Sequence, residues 1–286
     1  MDKIGEYIRR IEIDSLWSGQ KHIVWELNRK VNILSGVNGV GKSTILNKVI
    51  LRLLQAVKQR NGNEPEFLQA VKEGCPAKPD VKLTYEPADA VTVRFDVVRS
   101  FDRPLVHSNL LEKLADDRVA TELDWQLYLL QRRFLDYQVN VGNRMIALLT
   151  SGDPEAREKA KMAAQARVQF QDMVDELFSE TGKKIVRSSN EIQLEQFGEI
   201  LSPYKLSSGE KQMLVILLTV LVEDRQPYVL FMDEPEISLH VEWQQKLITL
   251  IRQLNPNVQI ILTTHSPAMI MNGWMDAVTE VTDITQ

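Results

Sequence analysis

The chain has 286 residues, with 34 lysines and arginines against 39 aspartates and glutamates, a net charge of −5 and 44% hydrophobic residues. Such a chain can bury a large core, and its length is that of one large domain or two small ones. The acidic balance argues against a surface coated for nonspecific nucleic-acid binding. Because Cys75 is the single cysteine and no stretch has the length of a membrane span or a signal-peptide core, we expect a cytoplasmic protein without disulfides or a membrane anchor.

The N-terminal part of the sequence predicts strands on both sides of one helix. Apolar and polar residues alternate in the strand segments, and apolar residues recur at helical spacing from Thr44 to Lys58. Turn formers between Asn61 and Pro79 predict a loop before the last two strands. The predicted strands span residues 7–13, 23–27, 31–34, 81–85 and 91–98.

The middle of the chain is predicted to be helical. From Pro104 to about Gly182, leucines recur at spacings of three to five without a strand pattern, and residues 151–154 (Ser-Gly-Asp-Pro) predict a break between two helices. We therefore divide the chain into an N-terminal part of one α/β unit (1–103), a helical insertion (104–182) and a C-terminal part of the same unit (183–286).

The C-terminal part alternates strands and helices, which predicts an α/β sheet with parallel central strands. Strands are expected at 184–186, 192–194, 228–232, 258–263 and 277–281, and helices at 209–223 and 240–254.

A phosphate-binding loop is predicted between the strand at 31–34 and the helix that follows it. Residues 36–43, Gly-Val-Asn-Gly-Val-Gly-Lys-Ser, match G-x-x-x-x-G-K-[ST] in the context that this motif requires. Glycines let successive backbone N–H groups face an anion, the lysine neutralises phosphate charge, and the serine hydroxyl is placed for Mg²⁺. The binding residues predicted here are Gly36, Asn38, Gly39, Val40, Gly41, Lys42, Ser43 and Thr44. The alternative is a glycine turn followed by a surface lysine.

Two carboxylates end the buried-strand pattern of residues 228–232. An apolar strand delivers Asp233 and Glu234 to the edge where α/β sheets bind ligands. Asp233 is predicted to hold Mg²⁺, directly or through water, and Glu234 to act as the general base toward an attacking water. The alternative is that the pair caps the turn at Pro235.

The segment Leu206–Gln212, which we call the signature motif, opens a predicted helix, and Ser207 with Glu210 fits a capping box. This segment resembles the signature motif of the ABC-type ATPases. The order of the phosphate loop, LSSGE, a hydrophobic strand ending in Asp-Glu, and His265 within Thr-Thr-His-Ser-Pro is also similar to that superfamily.

The resemblance implies an ATPase head in which N-terminal antiparallel strands join a parallel core in a mixed sheet. It implies ATP and Mg²⁺ as cofactors and a homodimer that encloses two ATP molecules. Each site would combine the phosphate loop, Asp233, Glu234 and His265 of one copy with Ser208 and Gly209 of the other. His265 would contact the γ-phosphate and order the attacking water, and residues 237–240 resemble the dimer-facing loop.

The form Glu-Pro-Glu-x-Ser-Leu-His at residues 234–240 resembles the soluble branch of chromosome-maintenance and DNA-repair ATPases. Residues 99–102 and 273–274 resemble the anti-phage ATPases of that branch, of the Septu- and retron-associated type. Family members carry a glutamine after the strand that precedes the insertion; Asp102 and Gln126 are the candidates here. Candidates for adenine contact, each also suited to a role in the fold or on the surface, are Arg9, Arg10, Trp17 and Trp25.

We therefore expect an ATP hydrolase whose dimer assembles with a separate effector protein, a nuclease or toxin, in bacterial anti-phage defence. The helical insertion is the expected surface for that partner, although it also suits a plain packing role. Two alternatives stay open: an ATP-gated scaffold with negligible hydrolysis, and a DNA-clamping repair or chromosome-maintenance ATPase. The net charge of −5 does not indicate nucleic-acid binding, but it does not exclude it.

Overall fold

The computed structural model describes residues 3–16, 19–61, 81–100 and 119–286. The strands in these ranges are β1 (Lys3–Gly5), β2 (Tyr7–Leu16), β3 (Lys21–Glu26), β4 (Val31–Ser35), β5 (Val81–Glu86), β6 (Ala90–Val93), β7 (Phe95–Arg99), β8 (Lys183–Ile185), β9 (Leu194–Gln196), β10 (Glu199–Leu201), β11 (Tyr228–Asp233), β12 (Val258–Thr263) and β13 (Val278–Glu280). The helices are α1 (Lys42–Asn61), α2 (Glu122–Thr150), α3 (Ala156–Leu177), α4 (Ser208–Val222), α5 (Val241–Leu254) and α6 (Pro267–Met271). Trp17, Cys75, Asp102 and the predicted helical residues 104–118 lie outside the described ranges.

A five-stranded parallel sheet forms the centre of the fold, in the order β13-β4-β12-β11-β7. The predicted α/β fold class is therefore confirmed. The register aligns Asp233 at the end of β11 with Thr263 of β12 and Arg99 of β7. Since the carboxyl ends of parallel strands meet at one edge, this register gathers the polar residues that follow β4, β11 and β12.

The N-terminal antiparallel strands form a separate three-stranded sheet, β3-β2-β5. Its apolar side shares a core with the buried face of α1 and with alternate residues of the parallel sheet, including Val229, Phe231 and Ile261. This core fixes the start of α1 against the end of β4, which positions the loop between them.

The other face of the parallel sheet, including Leu230, Met232 and Leu262, is covered by the helices α2, α3, α4 and α5. Helix α4 is apolar around its whole circumference from Met213 to Val220 and is buried there, as expected for a central helix. The predicted break between two helices is confirmed, because α2 ends at Thr150 and α3 begins at Ala156. Both pack into the same core as the sheet.

None of the helices in the described part of the chain combines the length and the apolarity that crossing a membrane requires.

Candidate functional site

The predicted phosphate loop is a tight turn between β4 and α1. Gly39 and Gly41 have φ angles of +77° and +104°, which side chains with a Cβ rarely adopt. Lys42 begins α1 and is only 4% exposed; its Nζ donates to the carbonyl oxygens of Gly36 at 3.0 Å and Val37 at 3.3 Å. The loop therefore holds the ammonium group against its own backbone, beside N–H groups at the helix start that favour an anion. Outside this contact, Asn38 and Thr44 are exposed and Val40 is half-buried.

Asp233 and Ser43 meet at the carboxyl edge of the sheet. Ser43 Oγ donates to Asp233 Oδ1 at 2.9 Å, and Thr263 Oγ1 donates to the same oxygen. On the other side, Ser100 Oγ donates to the backbone carbonyl of Asp233 at 2.8 Å. The phosphate loop and the end of β11 are thus joined, although 190 residues separate Ser43 from Asp233 in sequence.

Glu234 follows Asp233 in a left-handed conformation, with φ of +48°. Its backbone N–H donates to both the carbonyl and the hydroxyl oxygen of Thr263, each at 3.1 Å, which holds the conformation in place. Conformations of this kind are costly for a non-glycine residue and concentrate at functional sites. The side chain reaches His265, with Glu234 Oε1 at 3.2 Å from His265 Nε2. The half-buried Glu234 and the exposed His265 are therefore brought together next to Asp233.

Glu236 holds the backbone before His265. Its Oε1 accepts hydrogen bonds from Thr264 Oγ1 at 2.6 Å and from the His265 N–H at 2.7 Å. Its Oε2 is buried without a hydrogen-bond partner in the described structure. The role of this residue was missed in the sequence, as were those of Ser100 and Thr263. Their positions just after strand ends of the sheet are the available signal, but they do not reveal the contacts.

The signature motif begins α4 as predicted, with Ser207 as the N-cap and Glu210 completing the capping box. Glu210 also accepts from Lys183 Nζ at 2.8 Å and from Thr181 Oγ1 at 3.1 Å. Burial disfavours the ionised carboxylate of Glu210, but the hydrogen bonds from Lys183 and Ser207 outweigh this effect and lower the pKa of Glu210 below its usual value. The helix start is thereby anchored to β8, at the base of the insertion.

Gly209 packs against the loop at residues 237–240. A Cβ added at Gly209 would lie 2.4 Å from the carbonyl oxygen of Ser238, so this close approach requires glycine. Ser238 itself has φ of +73°. The predicted signature residues Ser208 and Gly209 therefore lie beside the predicted dimer-facing loop of the same chain.

The donors at the carboxyl edge suit a magnesium-bound phosphate. Ser43 and Asp233 present hard oxygen atoms 2.9 Å apart, the type of ligand that Mg²⁺ prefers and usually combines with water and phosphate oxygens. Lys42 and the N–H groups of the loop supply positive charge on the adjacent side. Glu234 and His265 supply a carboxylate and an imidazole that can handle a proton next to that position.

The candidates for the family's glutamine position and for adenine contact lie outside this group of residues. Gln126 binds backbone at the end of β7: its Oε1 accepts from the Arg99 N–H at 3.3 Å and its Nε2 donates to the Arg99 carbonyl at 3.2 Å. Trp25 is 1% exposed and donates to Thr279 Oγ1, which favours the alternative that this candidate serves the fold. Arg10 pairs with Glu12 and Glu26.

Comparison with known proteins identifies relatives of this chain. Septu protein PtuA of Bacillus thuringiensis is 26% identical over 92% of this chain and 72% of that protein. A probable ATPase of retron Vc95 from Vibrio cholerae serotype O1 biovar El Tor is 34% identical over 26% of this chain and 16% of that protein. A probable ATPase of retron Ec83 from Escherichia coli is 32% identical over 29% of this chain and 18% of that protein.

Among solved structures, the SmcHead bound to the C-winged helix domain of ScpA superposes with a TM-score of 0.51 at 14% identity, covering 93% of this chain and 92% of that one. The sequence matches confirm the resemblance to ATPases of Septu and retron systems, and the SMC head shares the fold of this chain. A family profile matches residues 94–271, more than half of the chain, from β7 through α2, α3, the signature motif and β11 to α6. The chain therefore belongs to the family described as AAA domain, putative AbiEii toxin, type IV TA system.

Proposed function

We propose that this chain is an ATP hydrolase that dimerises around ATP and regulates a separate effector protein in bacterial anti-phage defence. The observation that carries the proposal is the junction of Ser43 with Asp233, with Glu234 and His265 paired alongside. The kinship with a Septu protein and with probable retron ATPases supports the link to defence.

In the proposed reaction, the phosphate loop and Lys42 bind the β- and γ-phosphates, and Ser43 and Asp233 hold the metal ion. Mg²⁺ supplies charge neutralisation at the phosphate oxygens when bound. Glu234 takes a proton from the attacking water, and His265 orients that water and the γ-phosphate. The strained backbone at Glu234, fixed by Thr263, keeps the carboxylate on the side of the sheet where phosphate binds.

In the proposed dimer, each nucleotide is closed by Ser208 and Gly209 of the second copy. The anchoring of the signature motif to β8 offers a path from the nucleotide to the helical insertion, because Lys183 and Thr181 bind Glu210 of the capping box. Opening or closing of the dimer would then shift the base of the insertion, where we place the effector.

Steady-state phosphate release tests the hydrolysis step. Glu234→Gln is expected to lower kcat by at least about 100-fold, the contribution of a general base, and to accumulate as an ATP-bound dimer in size-exclusion chromatography. The matched control is Glu242→Gln, the same change at an exposed position in the first turn of α5, which should leave turnover unchanged. Unchanged turnover in Glu234→Gln would remove this residue from the role of base.

Calorimetric titration tests nucleotide binding separately. Lys42→Ala should abolish ATP binding, because the charge facing the β- and γ-phosphates is lost. Retained affinity would contradict the phosphate-loop assignment. Wild-type protein that binds ATP but releases no phosphate, alone or with its effector, would support the ATP-gated scaffold instead.

A further inference from the structure

Helix α2 has two apolar faces, and only one of them is buried in the part of the chain that the structure describes. The inner face is buried against the helices and the sheet and consists of Leu127, Leu130, Phe134, Tyr137 and Val141. The outer stripe, as we call it, consists of Leu135, Val139, Gly142, Ile146 and Leu149, at spacings of four, three, four and three. At about 100° per residue, the stripe lies roughly 120° around the helix from the inner face.

The four apolar side chains of the outer stripe are unusually exposed. Leu135 is 37% exposed, Val139 61%, Ile146 62% and Leu149 55%. Single exposed apolar residues are ordinary, but a stripe that follows a heptad is the seam by which two helices pair. At 1.5 Å per residue the stripe is about 21 Å long, enough for a short helix pair.

Gly142 lies at the centre of the stripe. A Cβ added there would find no heavy atom within 4 Å, so no contact among the described residues requires glycine at this position. Glycine in a helix interior is destabilising relative to alanine. Because Gly142 has no side chain, a second helix could cross α2 closely at this point.

The order of residues along the stripe is nearly symmetric about Gly142. Leu135 and Leu149 lie seven residues to either side, and Val139 and Ile146 lie three and four residues away. In an antiparallel pair related by a twofold axis at Gly142, Leu135 meets Leu149 of the other copy and Val139 meets Ile146 of the other copy. Such a stripe is complementary to itself, which is what a twofold contact requires.

The charge of the outer stripe also favours a second copy of this chain as its partner. A twofold axis near Gly142 places residues around the centre opposite residues of the same kind, so a charged stripe would repel itself. Between residues 135 and 150 the charged residues are Asp136 and Arg144, of opposite sign, and Arg144 pairs with Asp224 near the end of α4. The stripe is therefore neutral, which suits a second copy and offers nothing specific to an acidic or basic partner.

We propose that the outer stripe is a self-association surface, by which two copies of this chain pair antiparallel through α2 without nucleotide. The contact is separate from the proposed ATP-bridged dimer and does not depend on it. Two different twofold contacts on one chain would join copies into assemblies larger than a dimer when ATP is present. Because the contact is short, we expect micromolar affinity.

Sedimentation of the full chain in EDTA, over a concentration series without nucleotide, tests the proposal. The wild type should pass from monomer to dimer in the micromolar range. The double change Val139→Glu with Ile146→Glu should raise the dimer dissociation constant at least about tenfold, since four carboxylates would meet at the seam. The control is Met162→Glu on α3, a residue as exposed as Ile146 at 64% but outside the stripe, which should leave the constant unchanged.

Crosslinking gives a second readout that does not depend on the glutamate variants. In a Cys75→Ser background, Leu135→Cys combined with Leu149→Cys should form a disulfide dimer under mild oxidation, because the twofold axis places these two positions together, whereas Met162→Cys should not. Monomeric wild type at 100 µM would overturn the proposal. So would a double variant that loses thermal stability with no change in association, because the stripe would then be covered within one chain.

Discussion

At the residue scale, Glu236 shows how a side chain outside the proposed chemistry can fix a reacting group. Its Oε1 receives both the Thr264 hydroxyl and the His265 N–H, so the backbone that carries the imidazole depends on one carboxylate oxygen. We predict that Glu236→Ala lowers kcat roughly 10- to 100-fold with little change in KM, because the Thr264 hydroxyl and the His265 N–H lose their acceptor and His265 is released. Glu236→Gln retains an acceptor oxygen and should recover most of kcat. Steady-state kinetics of both variants measure this, and an equal loss in both would show that the charge, and not the position of His265, matters.

Gly209 presents a steric constraint of the same kind. A methyl group there would lie 2.4 Å from the Ser238 carbonyl, so Gly209→Ala must separate the start of α4 from the loop at 237–240. We predict a loss of about 1–3 kcal/mol in the free energy of unfolding, as in other overpacked sites, together with loss of ATP-dependent dimerisation. Glu242→Ala, at an exposed position in the first turn of α5, is the control for stability in urea unfolding. Wild-type stability in Gly209→Ala would mean that the loop moves freely away.

At the scale of elements, a partly buried ionic cluster joins α2, β7 and the end of α4. Arg133 of α2 binds both oxygens of Asp96 at 2.9 and 3.0 Å and Glu223 at 2.6 Å, while Arg94 binds the other oxygen of Glu223 at 2.8 Å. Burial, reinforced by the charge of Asp96, raises the pKa of Glu223 to about 7. The cluster joins the insertion to the sheet at the end of β11 opposite to Asp233, because Asp96 pairs in register with Leu230 near the start of that strand.

The raised pKa makes stability depend on pH. Between pH 4.5, the ordinary value for Glu223, and pH 7, the folded state binds more protons than the unfolded state, so stability falls as the pH rises. We predict that Glu223→Gln, which cannot ionise, gains on the order of 3 kcal/mol relative to wild type between pH 4.5 and pH 8. Urea unfolding at intervals across this range measures the difference, with Glu242→Gln as the exposed control. A constant difference between the Glu223→Gln and wild-type curves would contradict the raised pKa.

The sequence predicts the elements that are specified by consecutive residues, and it does not predict contacts between distant residues. The phosphate loop, the strand at Tyr228 and the capping box at Ser207 are each written in consecutive residues, and the structure has them where the patterns predict. The contacts of Ser100 with Asp233 and of Glu236 with His265 join residues 133 and 29 positions apart, and no local pattern specifies such pairs. Trp25 shares the apolar face of its strand with Ile23, so the alternation favours burial of that face, but it does not identify the residues that pack against it.

At the scale of the whole molecule, the proposed nucleotide site and the outer stripe of α2 lie on different elements. The first lies at the carboxyl edge of the parallel sheet, and the second lies along a helix that packs on one face of that sheet. Association through one surface can therefore be measured while the other is disabled. In the Val139→Glu, Ile146→Glu background, Glu234→Gln should still form the ATP-bridged dimer.

The proposed sharing of each nucleotide site between two copies can be tested by mixing inactive variants. Lys42→Ala removes the phosphate loop but retains the signature motif, and Ser208→Arg, at an exposed position, blocks the signature motif but retains the phosphate loop. Each variant alone should be inactive. Neither variant can close a site with a second copy of itself, whereas a mixed dimer has one complete site of two, so up to about half of wild-type phosphate release should return in an equimolar mixture.

The control is a mixture of Lys42→Ala with Glu234→Gln, whose defects fall on the same side of the interface and cannot complement. Absence of recovery in the first mixture, with both variants folded and Ser208→Arg still binding ATP, would place the whole site within one copy.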